Sequence, residues 1–250
     1  MPYHLLAVLL VLQFLPTSAY AFDKYNAVPS HRYLSEYQQM NDPAIKSSLM
    51  AVISQIDPDL KITGRECGQI NAFYSPANKE IVLCYEYLHN ADKTIDKLYP
   101  NHPIQTRALL NTGVIAGVLF HELGHAIIHL KDVPVLGNQE DAADNIATIF
   151  LIEMTKRNPG LGKHLIVGKL AHDWHGRFSA LSKLLIANDL YADEHALNEQ
   201  RVFNMICLAY GSNPALFQDV AISLKLPQNR AKRCAYEYQS TSKAVFQMIK

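Results

Sequence analysis

The chain has 250 residues, of which 49% are hydrophobic and 18% are charged, a composition typical of a globular protein with a sizeable core. Its 23 basic and 23 acidic residues cancel, so we expect neither a nucleic-acid partner nor electrostatic attraction to membranes. Length and composition together predict a single domain over residues 22–250.

The first 21 residues have the pattern of a secretory signal peptide. An apolar run from Leu5 to Leu15 is followed by a proline and then by Ala19-Tyr20-Ala21, an A-x-A cleavage pattern. The run is too short to span a bilayer comfortably, and we expect no transmembrane segment in the mature chain. An uncleaved anchor is the alternative, because no Lys or Arg precedes the apolar run. We predict cleavage near Ala21 and a secreted or periplasmic location.

Four cysteines agree with an oxidising compartment, and none of them forms a CxxC pair that would indicate a cysteine zinc cluster. Of the three possible connectivities, local pairing is favoured: Cys67 with Cys84, and Cys207 with Cys234. Each bridge would close a short loop and stabilise the fold by roughly 3 kcal/mol. The alternative is four buried free thiols.

The predicted elements change in type along the chain. A helical pattern over residues 35–56 breaks near Asn41-Asp42-Pro43 and precedes three β-rich runs, at 60–67, 69–75 and 80–88. These runs predict a small antiparallel sheet arranged as a meander. The remaining chain has helical patterns over 104–130, 138–157, 162–187, 190–210 and 227–247. A small sheet followed by a mainly helical body predicts an α+β fold.

The most informative segment is "VLFHELGHAIIHL", residues 118–130, within an apolar helix. Residues four apart lie on one helix face about 6 Å from each other, so His121 and His125 can bind the same ion. Glu122 lies about 100° around the helix, where it can reach a water on that ion as a general base. His129 lies about 12 Å along the axis from His121, so we predict a packing or supporting role for it.

The next predicted helix offers a third ligand. Asn138 is a plausible N-cap, and Glu140 and Asp144 stand four residues apart on one face. Two histidines and a glutamate form a catalytic zinc set, so we predict Glu140 as the third ligand. Asp144 would then hold the other ring N–H of a ligating imidazole. The alternatives are Asp141 as the ligand, or an acidic first turn that complements the helix dipole.

"HELGH" followed by "EDAAD" resembles the gluzincin zinc peptidases, the thermolysin-like class with HExxH and a downstream ExxxD. The resemblance implies a zincin-like fold with a buried active-site helix, and peptide-bond hydrolysis with one Zn²⁺ per chain. It also implies the same site residues: His121, His125 and Glu140 as zinc ligands, Glu122 as the base and Asp144 as the group that orients a ligand. The metzincin pattern does not fit, because it needs Gly and His where this chain has Ile128 and Lys131.

Longer segments are similar to a bacterial family described as metallopeptidases. They include "CGQINAFY", "DEHALNEQRVFNMICLAYG" and "RAKRCAYEY", and they span most of residues 67–239. This similarity supports a fold and a metal site, but it indicates no particular substrate.

The resemblance to zincins implies two further features. An edge strand above the active-site helix pairs with the substrate backbone, for which the candidates are Asn71, Ala72, Phe73 and Tyr74. A His or Tyr near the site stabilises the oxyanion, and His195 is the candidate, with Asp193 or Arg201 as a helper. A surface-helix histidine is the alternative interpretation of His195.

The sequence therefore predicts a secreted or periplasmic zinc metallopeptidase acting on a peptide or protein. One alternative is a catalytically weak or inactive module in which zinc braces a partner-binding surface. Another is a hydrolase of cell-wall amides. The intact Glu122 favours catalysis over the first alternative, because a structural zinc site needs no base.

Overall fold

The computed structural model describes residues 27–41, 56–181 and 198–249, but not the side chains of residues 176–181 and 198. The predicted signal peptide and His195 also lie outside the described residues. The chain divides into two compact units, Met1–His89 and Asn90–Lys250, and each is described by itself.

The first unit contains a short helical segment and a three-stranded sheet. A 3-10 turn at His31–Tyr33 leads into helix α1, Leu34–Met40. α1 ends where the sequence predicted a break, and residues 42–55 lie outside the described part. The strands are β1 (Lys61–Arg65), β2 (Ala72–Ser75) and β3 (Glu80–Cys84). The predicted continuation of the last strand to residue 88 is wrong, because helix α2, Tyr85–Leu98, begins directly after β3.

The sheet is mixed rather than antiparallel, with the strand order β1-β3-β2. β3 pairs in parallel with β1 and antiparallel with β2, so the predicted meander is wrong. The physical reason is burial: from Ile81 to Cys84, no residue of β3 is more than 1% exposed, whereas β2 is only half-buried along its length. The most apolar strand takes the central position, a preference that strand-forming patterns alone do not encode.

The loop between β1 and β2 is fixed to the end of β3. The Cys67–Cys84 disulfide joins them, with a Cα–Cα distance of 5.5 Å. The Glu86 carboxylate, in the first turn of α2, accepts hydrogen bonds from the backbone N–H of Cys67 at 3.0 Å and of Gly68 at 2.7 Å. Gly68 has φ +71°, a left-handed conformation that favours glycine.

The second unit is helical throughout the elements described. After the end of α2 these are α3 (Ile104–Leu130), α4 (Gln139–Arg157), α5 (Pro159–Leu181), α6 (Asn198–Ser212), α7 (Pro214–Ser223) and α8 (Gln228–Met248). The bounds of α3 match the predicted 104–130. Helix α7 was missed, because Gly211 to Pro214 indicated a break. Asn213 instead caps α7, accepting from the Leu216 N–H at 3.1 Å, and Pro214 occupies its first turn.

Helix α3 is the buried centre of this unit and packs against α4 and α5. A Cβ added to Gly113 would lie 2.0 Å from the Leu165 carbonyl oxygen, and one added to Gly168 would lie 2.0 Å from the Leu110 carbonyl oxygen. These glycines therefore let the backbones of α3 and α5 approach closely. By length and composition alone α3 could cross a membrane, but the core helices of soluble proteins meet the same test, and 61% of its most apolar window is buried.

The second disulfide joins α6 to α8 through Cys207 and Cys234, with a Cα–Cα distance of 4.9 Å. Both predicted pairings are therefore present, and the alternative of four free thiols is wrong. Two disulfides indicate an oxidising environment, such as the extracellular space or the periplasm.

Candidate metal centre

The HELGH segment lies in the last three turns of α3, where the helix is most buried. His121 and Glu122 are each 6% exposed. The chain leaves α3 after Leu130 and re-enters a helix at Gln139. Asn138 caps this new helix, α4, by accepting a hydrogen bond from the Glu140 N–H at 2.9 Å. Glu140 is thereby held in the first turn of α4.

Two small residues let α3 and α4 come together at the site. A Cβ added to Gly124 would lie 2.9 Å from the Ala143 Cα and 3.2 Å from its Cβ. Gly124 lies inside "HELGH", and Ala143 lies between Glu140 and Asp144. Sequence reasoning missed this contact, although small residues within both motifs were the available signal.

Three donor groups converge between these helices. His121 Nε2 lies 3.0 Å from Glu140 Oε2, His125 Nε2 lies 3.2 Å from Glu140 Oε1, and the two Nε2 atoms are 3.2 Å apart. A tetrahedral zinc ion with ligand bonds of roughly 2.0–2.1 Å would separate its nitrogen and oxygen ligands by about 3.3 Å. The donor spacing therefore fits one zinc ion.

The other ring nitrogen of each imidazole is also held. His121 Nδ1 lies 2.8 Å from Asp144 Oδ1, and His125 Nδ1 lies 3.1 Å from Gln139 Oε1. With Nδ1 as the donor in each ring, both Nε2 lone pairs face Glu140. The structure thus brings Asp144 to the predicted position, and it adds Gln139, which the sequence analysis did not single out.

Asp144 is itself held by Arg201 of α6. The guanidinium donates from Nε to Oδ2 at 2.5 Å and from Nη2 to Oδ1 at 2.7 Å. Arg201 was predicted only as a possible helper of His195, and its partner in the structure is Asp144. Fifty-seven residues separate the two in sequence, so no local pattern could have linked them.

The electrostatics of the site favour cations. Burial lowers the pKa of His121, but its hydrogen bonds to Asp144 and Glu140 outweigh burial and raise the pKa to about 9. Burial likewise opposes the charged form of His125, and Glu140 raises its pKa overall. Burial also raises the pKa of the Asp144 carboxyl, yet Arg201 and His121 hold that pKa well below its usual range.

Six charged side chains are connected with the two imidazoles, either directly or through one another: Glu122, Glu140, Asp144 and Asp173 are acidic, and Lys169 and Arg201 are basic. Lys169 belongs to this group only through its ion pair with Asp173. Four negative and two positive charges leave this group at −2 when the histidines are neutral. A divalent cation would bring it to zero. The donor set and its charge therefore both fit Zn²⁺.

Two other residues considered in the sequence, His129 and Asp141, do not join the three converging donors in the described part of the chain. Among the described residues, the donor group consists of His121, His125 and Glu140, without His129 or Asp141. His129 is exposed, so the predicted packing role does not apply. A second group, Cys67, Cys84 and Glu86, has metal-like spacing, but its two sulfurs form the disulfide.

The predicted substrate strand is an edge strand. Ala72, Phe73 and Tyr74 lie in β2, at one end of the strand order. Asn71 precedes β2, and its carbonyl accepts from the Cys84 N–H at 3.2 Å. These residues belong to the first unit and the converging donors to the second, so their role in binding substrate stays a prediction.

Comparison with protein families places the chain in one of them. Residues 25–249 match the model of DUF4344, whose description is "Putative metallopeptidase". Comparisons with curated proteins and with solved structures give no significant match. The family description implies a metal and a peptide hydrolase activity, and the site offers two histidines and a glutamate at metal-binding spacing. Because the match covers nearly the whole chain, the protein belongs to the DUF4344 family of metallopeptidase-like proteins.

Proposed function

We propose that this protein is a zinc-dependent peptidase of gluzincin type, with His121, His125 and Glu140 as its zinc ligands. The observation that carries the proposal is the convergence of two Nε2 atoms and one carboxylate at 3.0–3.2 Å from one another. Three protein ligands, the number that converges among the described residues, are typical of catalytic zinc, whereas structural zinc usually has four.

Glu122 is the proposed general base. A bound zinc ion would supply Lewis acidity toward water and toward a substrate carbonyl. The Glu122 carboxylate would accept the proton of that water and pass it to the leaving amine. Two observations support this role: Glu122 is only 6% exposed on an apolar helix, and its charge raises the pKa of both His121 and His125.

The groups behind the imidazoles would keep the ligands ready to bind. Asp144 and Gln139 accept from the Nδ1 atoms, which leaves each Nε2 lone pair for the metal. A buried, charged partner such as Asp144 typically contributes 10–100-fold to metal affinity.

Substrate binding completes the proposal. Asn71, Ala72, Phe73 and Tyr74 would pair with the backbone of an extended peptide, a recognition mode that depends on main chain more than on side chains. The edge position of β2 supports this, because an edge strand is where an additional strand can pair. His195 would stabilise the oxyanion as in the resembling class.

Metal analysis combined with three variants tests the proposal. Glu122→Gln should retain one zinc per chain and lose cleavage of unfolded casein or of a quenched-fluorescence peptide library. Glu140→Ala should lose both. The control is Glu153→Gln, which makes the same change as Glu122→Gln at a residue that pairs with Lys156. It should leave zinc content and cleavage unchanged. Unchanged cleavage in Glu122→Gln would contradict the assigned base.

A further inference from the structure

A buried series of charges extends from the candidate metal centre into the helical unit. Lys169 of α5 is 5% exposed, and its ammonium lies 2.5 Å from an oxygen of Asp173, one turn along the same helix. Gly117 makes room for the Lys169 side chain against α3, because an added Cβ would lie 2.5 Å from the lysine Cδ. Arg201 interacts with both Asp173 and Asp144. The signs therefore alternate from Lys169 through Asp173 and Arg201 to Asp144.

Arg201 contacts Asp144 in a specific geometry. Nε and Nη2 donate to different oxygens, Oδ2 and Oδ1, so the guanidinium and the carboxylate form a bidentate pair. Oδ1 also accepts the Nδ1–H of His121 at 2.8 Å. A carboxylate held by a single contact can turn about its terminal torsion, which has broad minima. Two parallel hydrogen bonds from one rigid group remove that freedom.

We propose that Arg201 is a positioning residue for the metal site. Its pair of hydrogen bonds, called the fork below, fixes the plane of the Asp144 carboxylate. The carboxylate in turn orients the His121 ring so that its Nε2 atom points at the ion. This inference rests on the proposed function, because it presumes that His121 binds metal. In this role Arg201 would touch neither the ion nor the substrate and would act through Asp144 alone. Asp173 supplies the guanidinium with a second negative partner inside the fold.

The competing interpretation is an ion pair that only joins α6 to α4. The two interpretations differ for a lysine at position 201. A lysine keeps the positive charge but can only make a point contact, so it cannot fix the carboxylate plane. A joining role needs the charge alone, whereas a positioning role needs the fork.

Arg201→Lys is therefore the central variant, with Arg230→Lys as its matched control. Arg230 lies on α8 and donates to Asn204 at 2.8 Å and to Glu237 at 3.0 Å, so the control weakens another arginine contact to α6 without touching the site. Zinc affinity is measured by chelator competition. The visible spectrum of the Co²⁺-loaded protein reports ligand geometry, and thermal unfolding of the metal-free proteins reports stability.

We expect Arg201→Lys to bind zinc roughly 10-fold more weakly than the unsubstituted chain, with shifted Co²⁺ bands. Arg230→Lys should match the unsubstituted chain in zinc affinity and in the Co²⁺ bands. An Arg201→Lys protein with unchanged zinc affinity and unchanged Co²⁺ bands would overturn the positioning role and leave the proposed function intact. If the unsubstituted chain itself bound no zinc, the proposed function would fail first, and this inference with it.

Discussion

The two sides of the candidate metal centre are supported differently. On one side His121, with a side chain 8% exposed, is held by the charged Asp144, which Arg201 holds in turn. On the other side His125, 14% exposed, is held by Gln139, a neutral and exposed residue. A charged, buried support resists rearrangement, whereas a neutral one at the surface can be replaced by water. The His121 side should therefore provide most of the rigidity of the site.

The largest expected effect on stability and on zinc affinity comes from removing the Asp144 charge that supports His121. Asp144→Asn would leave Arg201 largely buried without its carboxylate, at a cost of about 3 kcal/mol in the free energy of unfolding. Zinc affinity should fall roughly 100-fold, because the amide is a weaker acceptor for the His121 Nδ1–H. Urea unfolding of the metal-free protein and chelator competition measure the two effects. A loss no larger than that of Gln139→Ala would refute the asymmetry.

A change at Gly124 should disturb both sides together, because this residue lies between the two histidines. Gly124→Ala places a Cβ 2.9 Å from the Ala143 backbone, so α4 must shift, at a cost of about 1–3 kcal/mol. Glu140 and Asp144 would move with α4, and zinc affinity should fall as well. Gly160→Ala is the control, since its added Cβ would meet its nearest atom at an ordinary 3.8 Å. Equal stability of the two variants would contradict the close helix contact.

The stability of the metal-free protein should also depend on pH, through the His121 imidazole and its charged partners. Because the folded-state pKa of His121 is raised to about 9, its contribution to stability is complete below about pH 6.5. That contribution is lost as the pH rises through 9. Zinc binding needs a neutral imidazole, so zinc affinity should instead increase with pH over this interval. Thermal unfolding from pH 6 to 10, with and without zinc, would show these opposite trends. Parallel trends would count against the assignment of His121 as a ligand.

The smallest effect is expected on the neutral side. Gln139→Ala removes an exposed amide that water can replace, so zinc affinity should fall less than 10-fold. The free energy of unfolding should change by no more than about 0.5 kcal/mol. Urea unfolding and chelator competition are again the measurements. A loss as great as that of Asp144→Asn would show that both sides matter equally.

The parts of the site that the sequence could predict are those that lie within one helix or at adjoining helix ends. The 3.6-residue period places His121 and His125 on one face of α3, and it places Glu140 and Asp144 on one face of α4. Arg201 could not be predicted, because its contact with Asp144 depends on how α6 packs. Gly124 and Ala143 were visible as small residues, but only the packed helices reveal what their size permits.

The sheet shows a different limit. Strand-forming patterns located β1, β2 and β3, yet strand order depends on which strand is most completely covered by the rest of the fold. The disulfides were more predictable, because local pairing closes short loops. The missed helix α7 has a plain cause: Asn213-Pro214 serves equally well as a break or as a helix start.

The most direct test of the account is an anomalous difference map at the zinc absorption edge from crystals of the zinc-loaded protein. We predict one strong peak per chain between α3 and α4, roughly 2.0–2.1 Å from the Nε2 atoms of His121 and His125 and next to the Glu140 carboxylate. Zinc bound elsewhere, or zinc at this position with a fourth protein side chain in place of water, would contradict the assignment of a catalytic metal centre.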